Sequence, residues 1–230
     1  LLLLTLSGCF FREPEDLYQS PEQSADYLSL TQTIRNVKDS LAQEYGVEVE
    51  DVSVMSGDNT ALIQLQDLDR DGERETAVTF FRVSEAEKPL KIYFFTRTAE
   101  DTYTVSAMVE GNGTAIYRVD YVDLNGSGCK EVVVSWQMST GVYLLGAYSL
   151  EEAMVRSLQY ASAPAGSASA QGLPDREALR ATEWMTTVYD NYALYDLDQD
   201  TRTELAVVRV DKAGTNSAVD LYGWRDGSFM

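Results

Sequence analysis

Two hydrophobic periodicities divide this chain. In the first stretch, Tyr27, Leu30, Ile34, Val37, Leu41 and Tyr45 recur at spacings of three and four, which predicts one amphipathic helix with a single apolar stripe. Ser20, Pro21 and Gln23 precede the stripe as N-cap, first helical residue and capping-box partner, and Gly46 follows as C-cap. From Val52 onward the period falls to two. Strands are predicted over 61–66, 76–82, 90–97 and 103–110, followed by a turn at Glu110-Gly111-Asn112-Gly113. Four more are predicted over 115–122, 131–137, 142–150 and 154–160. A tract of small residues, 161–174, reads as a flexible linker, and 175–185 as a helix. Strands over 191–195, 205–210 and 218–224 come last, with a turn at Asp226-Gly227 and a fourth strand expected past Met230.

The polar positions between the first two strands of each set carry a second pattern. Asp67, Asp69, Asp71 and Glu75 stand at positions 1, 3, 5 and 9 of a short loop, with Gly72 at position 6. Oxygen donors at every second residue suit a hard cation, with the carbonyl at position 7, here Glu73, adding another. Glycine at position 6 suits a turn that needs positive φ. The pattern returns at Asp123, Asn125, Ser127, Cys129 and Glu131, and again at Asp196, Asp198, Asp200, Arg202 and Glu204. Each copy has leucine at position 2 and a Val/Ala-rich run after the glutamate. This is an internal repeat. The loops start 56 and 73 residues apart, and the excess in the second interval matches the small-residue tract with its flanks. The unit is therefore about 50 residues of four antiparallel strands, as in a propeller blade.

The three copies are not equal. Asn125 and Ser127 replace carboxylates in the second, and Cys129 at position 7 reads as an incidental free thiol that need not be a ligand. Thr201 replaces glycine in the third, where a β-branched residue is strained. The expected order of affinity is first, third, second. An EF-hand would need its bidentate acid at position 12 and an exiting helix; here the acid is at 9 and a strand-like run follows. The plain alternative is that these are ordinary Asp/Asn/Gly turns with no ion.

Composition narrows the chemistry. The chain has 230 residues, 44% of them apolar, enough for a sizeable core. A formal charge of −19 opposes binding to nucleic acid. The absence of histidine excludes Ser-His-Asp and Cys-His nucleophile systems and histidine-bound zinc. Two cysteines, Cys9 and Cys129, make no disulfide framework.

The leucine run ending in Leu6-Ser7-Gly8-Cys9 resembles the lipobox of bacterial lipoproteins, which implies a lipidated Cys9 and attachment to the outer side of a bacterial cell membrane. The three loops resemble the FG-GAP/VCBS repeat family, whose blades carry a D-x-D-x-D-G-x-x-E calcium loop between their first two strands. The first copy matches in full, and the likeness covers roughly 60–226. It implies an all-β fold: a propeller-like array of about three four-stranded antiparallel blades, incomplete as a ring or packed as an open array, behind an N-terminal helix. The expected organisation is a signal peptide with lipobox at 1–9, a tether and helix at 10–50, and repeats at 51–230, with blades near 60–110, 114–160 and 189–230.

Function then divides three ways. The leading expectation is a membrane-anchored, non-catalytic binding or scaffold protein with calcium as cofactor and a protein or cell-wall glycan as ligand. Trp136, Tyr143, Trp184 and Trp224 are candidates for a sugar-binding face, with core packing the alternative. The other expectations are a glycosidase or lyase working through paired carboxylates and a purely structural module of a larger envelope assembly.

Overall fold

The computed structural model describes residues 25–98, 102–161, 173–211 and 213–230. The lipobox with Cys9, the cap residues Ser20, Pro21 and Gln23, and most of the small-residue tract lie outside the described residues.

The chain is mostly β. Helix α1 (Ala25–Tyr45) is followed by β1 (Glu50–Asp51), β2 (Ile63–Gln66), β3 (Thr76–Arg82), β4 (Leu90–Arg97) and β5 (Tyr103–Gly111). These strands form one antiparallel sheet in which β3, β4 and β5 run consecutively. β2 and β1 share the free edge of β3, pairing with its first and last residues respectively. The second sheet is β6 (Ala115–Val122), β7 (Glu131–Ser139), β8 (Val142–Ser149) and β9 (Thr182–Tyr189), again consecutive and antiparallel. The third is β10 (Asn191–Tyr195), β11 (Glu204–Val210) and β12 (Ser217–Tyr222), followed by a hairpin of β13 (Trp224–Arg225) and β14 (Ser228–Phe229) turning at Asp226 and Gly227. Among the described residues no ring or barrel closes; three sheets stack face to face.

Two expected elements change identity. Residues 154–160 are not a strand but part of helix α2 (Glu151–Ala161). Glu151 and Glu152 in its first turn complement the helix dipole, and the buried residues Ala153 and Ser157 are one helical turn apart. The expected helix over 175–185 shrinks to α3 (Arg176–Leu179), capped by the Asp175 side chain. The rest becomes β9, whose β-branched and aromatic residues pair along β8 and supply the fourth strand of the second sheet. The second unit therefore runs to Tyr189, with both helices inserted before its last strand. β1, only two residues long, was not foreseen.

Side-chain alternation decides the stacking. One face of the first sheet (Val78, Phe80, Ile92, Phe94, Val109) packs on one face of the second (Val119, Val132, Val134, Trp136). The second sheet's other face (Val133, Leu145, Ala147) packs on Leu205 and Val207 of the third. The first sheet's other face (Ala77, Phe81, Tyr93, Phe95) lies under Leu30, Val37 and Leu41 of α1. Strands covered on both faces need no polar side, which is why β3 and β4 are almost continuously buried. Gly46 ends α1 with φ 69° and its N–H on the Ala42 carbonyl at 2.9 Å.

An ion network joins the insert to the first sheet. Lys91, fully buried, meets Glu110 at 2.5 Å, and the same carboxylate accepts Arg176 at 2.6 Å and Arg180 at 3.2 Å. Arg176 also pairs with Glu44 at 2.5 Å and with the Tyr45 hydroxyl at the end of α1. Burial would raise the Glu110 carboxyl and lower the Lys91 ammonium. Lys91 and Arg176 outweigh burial at Glu110, which titrates below the usual carboxylate range, while burial prevails at Lys91.

Candidate metal centre

All three acidic loops join consecutive, paired strands of a sheet: β2 to β3, β6 to β7 and β10 to β11. Their backbones follow one path. Position 4 is left-handed in each (Arg70 at φ 62°, Gly126 at 76°, Gln199 at 62°), and so is position 6 (Gly72 at 96°, Gly128 at 89°, Thr201 at 76°). The third loop thus keeps the shared geometry and carries the strain at Thr201. The requirement at position 4 was missed in sequence; glycine at Gly126 was the one hint.

Asx-type bonds hold the turns. Gly72 donates its N–H to Asp67 Oδ2 at 3.1 Å, and Asp71 and Glu73 donate theirs to Asp69 and Asp71 at 3.3 and 2.8 Å. In the second loop Gly128 donates to Asp123, Ser127 to Asn125 and Cys129 to Ser127 Oγ. In the third, Thr201 donates to Asp196, and Asp200 to both Asp196 and Asp198. Glutamate at position 9 closes two of the loops: Glu131 and Glu204 each accept the N–H of the position 2 leucine at 2.8 Å.

The carboxylates then part company. Asp67, Asp69, Asp71 and Glu75 each bring a ligand oxygen within 4.8 Å of the others, as do Asp196, Asp198 and Glu204. Asp200, expected as a ligand, lies outside that second group and stands 3.8 Å from Arg202. In the first loop, Asp67 Oδ1 and Glu75 Oε2 are buried without a hydrogen-bond partner. Oxygens in that condition are costly unless a donor or a cation meets them. The donor set is all oxygen, the chemistry of a hard cation.

The second loop has its charge answered by the first. Asp123, 2% exposed, receives the Arg70 guanidinium of the first loop at 3.1 Å. Burial pushes the Glu131 carboxyl up to about 7, with Asp123 adding to the shift. Side chains at position 7 turn elsewhere: Glu73 to Arg97, Arg202 to Asp200, while Cys129 is an exposed free thiol.

The loops are also tied to one another. Lys130 donates its N–H to the Leu68 carbonyl at 2.7 Å and its ammonium to the Asp67 carbonyl at 2.6 Å. Thr203 donates to the Asp123 carbonyl at 2.9 Å, and the Arg202 side chain lies against Gly126, where a Cβ would sit 2.9 Å from Nε. Residues at position 8 therefore link each loop to the one before it. The basic residues Arg70 and Lys130 inside acidic loops are the sequence signal for this link.

The four candidate sugar-face aromatics are packing groups. Trp136 is fully buried and donates to the Tyr148 hydroxyl at 3.1 Å. Trp184 meets Trp224 with centroids 4.7 Å apart, and Tyr143 lies between Tyr117 and Tyr189. Among the described residues no helix is long and apolar enough to cross a membrane. Comparison with models of protein families gives no match, and neither does comparison with curated proteins.

Proposed function

We propose that this chain is a non-catalytic binding or scaffold module of FG-GAP/VCBS type, in which calcium ions brace the linked loops along one rim of the stacked sheets. The observation that carries this is the pair of buried, unpartnered oxygens Asp67 Oδ1 and Glu75 Oε2 within a four-carboxylate group. Asp67, Asp69, Asp71 and Glu75 would hold one ion, and Asp196, Asp198 and Glu204 another. A bound cation there supplies charge neutralisation to crowded carboxylates. The second loop has Arg70 in that role, so the expected stoichiometry is two ions per chain.

The resemblance leaves a closed propeller or an open array. The position of α1 supports the open array at that end, because Leu30, Val37 and Leu41 already cover the face a closing blade would need. Anchoring through a lipidated Cys9 on the outer side of a bacterial membrane, with a protein or glycan as ligand, completes the proposal. The enzyme alternative has Glu131, the one carboxyl among the described residues that is raised toward neutrality. Its bond to the Leu124 N–H is a loop-closing bond that Glu204 repeats, which favours a structural role.

Calcium should raise the melting temperature, with a stabilisation of about 2.7 kcal/mol per occupied site at a hundred times that site's dissociation constant. Asp69→Ala should remove more of that gain than Ser127→Ala. Equal losses, or no calcium effect in the parent chain, would overturn the assignment.

A further inference from the structure

Between the first two loops, the ends of β4 and β5, and helix α2 lies a cavity of about 500 Å³. This is within the size range of small-molecule sites. Its apolar wall is built from Leu68, Leu150, Met154, Val155 and Leu158. Leu68 and Leu150 are buried, while Val155 and Leu158 on α2 are 49% and 65% exposed and form the solvent-facing side of the wall.

The two bases and several hydroxyls on the wall are already committed, while Glu75 contributes the unpartnered Oε2 of the first loop. Arg97 donates to Glu73 at 2.8 Å and Lys130 to the Asp67 carbonyl at 2.6 Å. Thr96 donates to Ser106 at 2.9 Å, and Ser157 to the Met154 carbonyl at 2.8 Å. What the cavity offers is hydrocarbon surface. Among the described residues lining it there is no Phe, Tyr or Trp, although the chain has 24 of them in all. Planar aromatic ligands and sugars are ordinarily met by ring faces, and here they would find none. Four carboxylates (Asp69, Glu75, Glu131, Glu151) line the wall against those two engaged bases, which disfavours an anionic group entering it.

We infer that this cavity binds an aliphatic chain, tail first, with any charged head left outside. The chain could belong to a free alcohol or fatty acid or to a membrane lipid. This site is independent of the calcium proposal, although Asp69 and Glu75 border both.

Cys129 lines the cavity and reports on it. In a Cys9→Ser chain it is the sole thiol, and its rate of alkylation by iodoacetamide can be followed by mass spectrometry. Dodecan-1-ol at ten times its dissociation constant should slow that rate about tenfold, in proportion to the unliganded fraction. Dodecanoate should protect more weakly, and phosphatidylcholine vesicles form a separate arm. Protection by the alcohol identifies free amphiphiles as competent, and protection by vesicles alone identifies lipid acyl chains; either supports the inference. Val155→Trp should abolish the protection, with the fold checked by circular dichroism. Unchanged alkylation in all three arms, or protection that survives in a folded Val155→Trp chain, overturns it. Calcium melting curves on the same protein keep a failure here separate from a failure of the cation loops.

Discussion

Single residues on the loop rim set how much each loop depends on a cation. Thr201 holds φ 76° where the other loops have glycine. A non-glycine residue in that region stores strain, so Thr201→Gly should stabilise the protein by about 1 kcal/mol, read from urea unfolding in EDTA. The opposite result is expected at Arg70. Its removal leaves Asp123 buried with backbone N–H donors alone, so Arg70→Ala should cost about 1–3 kcal/mol in EDTA. The same variant should gain more from calcium than the parent does, because the second loop then lacks the counter-charge supplied by the first. Calcium-dependent shifts in melting temperature, parent against variant, check this directly.

Elements are held in place by two devices that local patterns do not display. Gly111 closes β5, and a Cβ there would lie 2.4 Å from the fully buried Trp136 ring. Gly111→Ala should therefore destabilise by about 3 kcal/mol, the upper end for overpacking, because neither ring nor strand can retreat. The second device is Glu110, which ties β4, β5 and α3 together. Glu110→Ala leaves Lys91 buried without its counter-ion, for an expected loss of about 3–5 kcal/mol. The pH dependence follows from the lowered carboxyl. Its contribution is present above the unfolded value of 4.5 and is lost as pH falls through the lower folded value. Acid unfolding of the parent should accordingly be steeper than that of Glu110→Ala below about pH 4.5.

At the scale of the whole molecule, the repeats were plain to read and their assembly was not. The position 1, 3, 5, 9 grammar, the leucine at position 2 and the strand after each glutamate located all three loops and most strands, because these are local demands of a tight turn between paired strands. The errors fell at 154–160 and 175–185, where the fourth strand of the second sheet is postponed past two helices. Alternation in a short apolar run fits either period, and partnership with β8 decided the matter for β9. The cavity and the Arg70 to Asp123 contact were invisible for the same reason: both join residues that are distant in the chain.

The sequence alone determined the period-two strands, the oxygen-rich turns and the stripe of α1, since each is fixed by residues within a few positions of one another. Tertiary structure decided which faces meet, that α1 rather than another sheet covers the first sheet, and which carboxylates cluster and which are neutralised by a neighbouring arginine. Those outcomes depend on burial and charge across separate strands, quantities that exist only once the sheets have stacked.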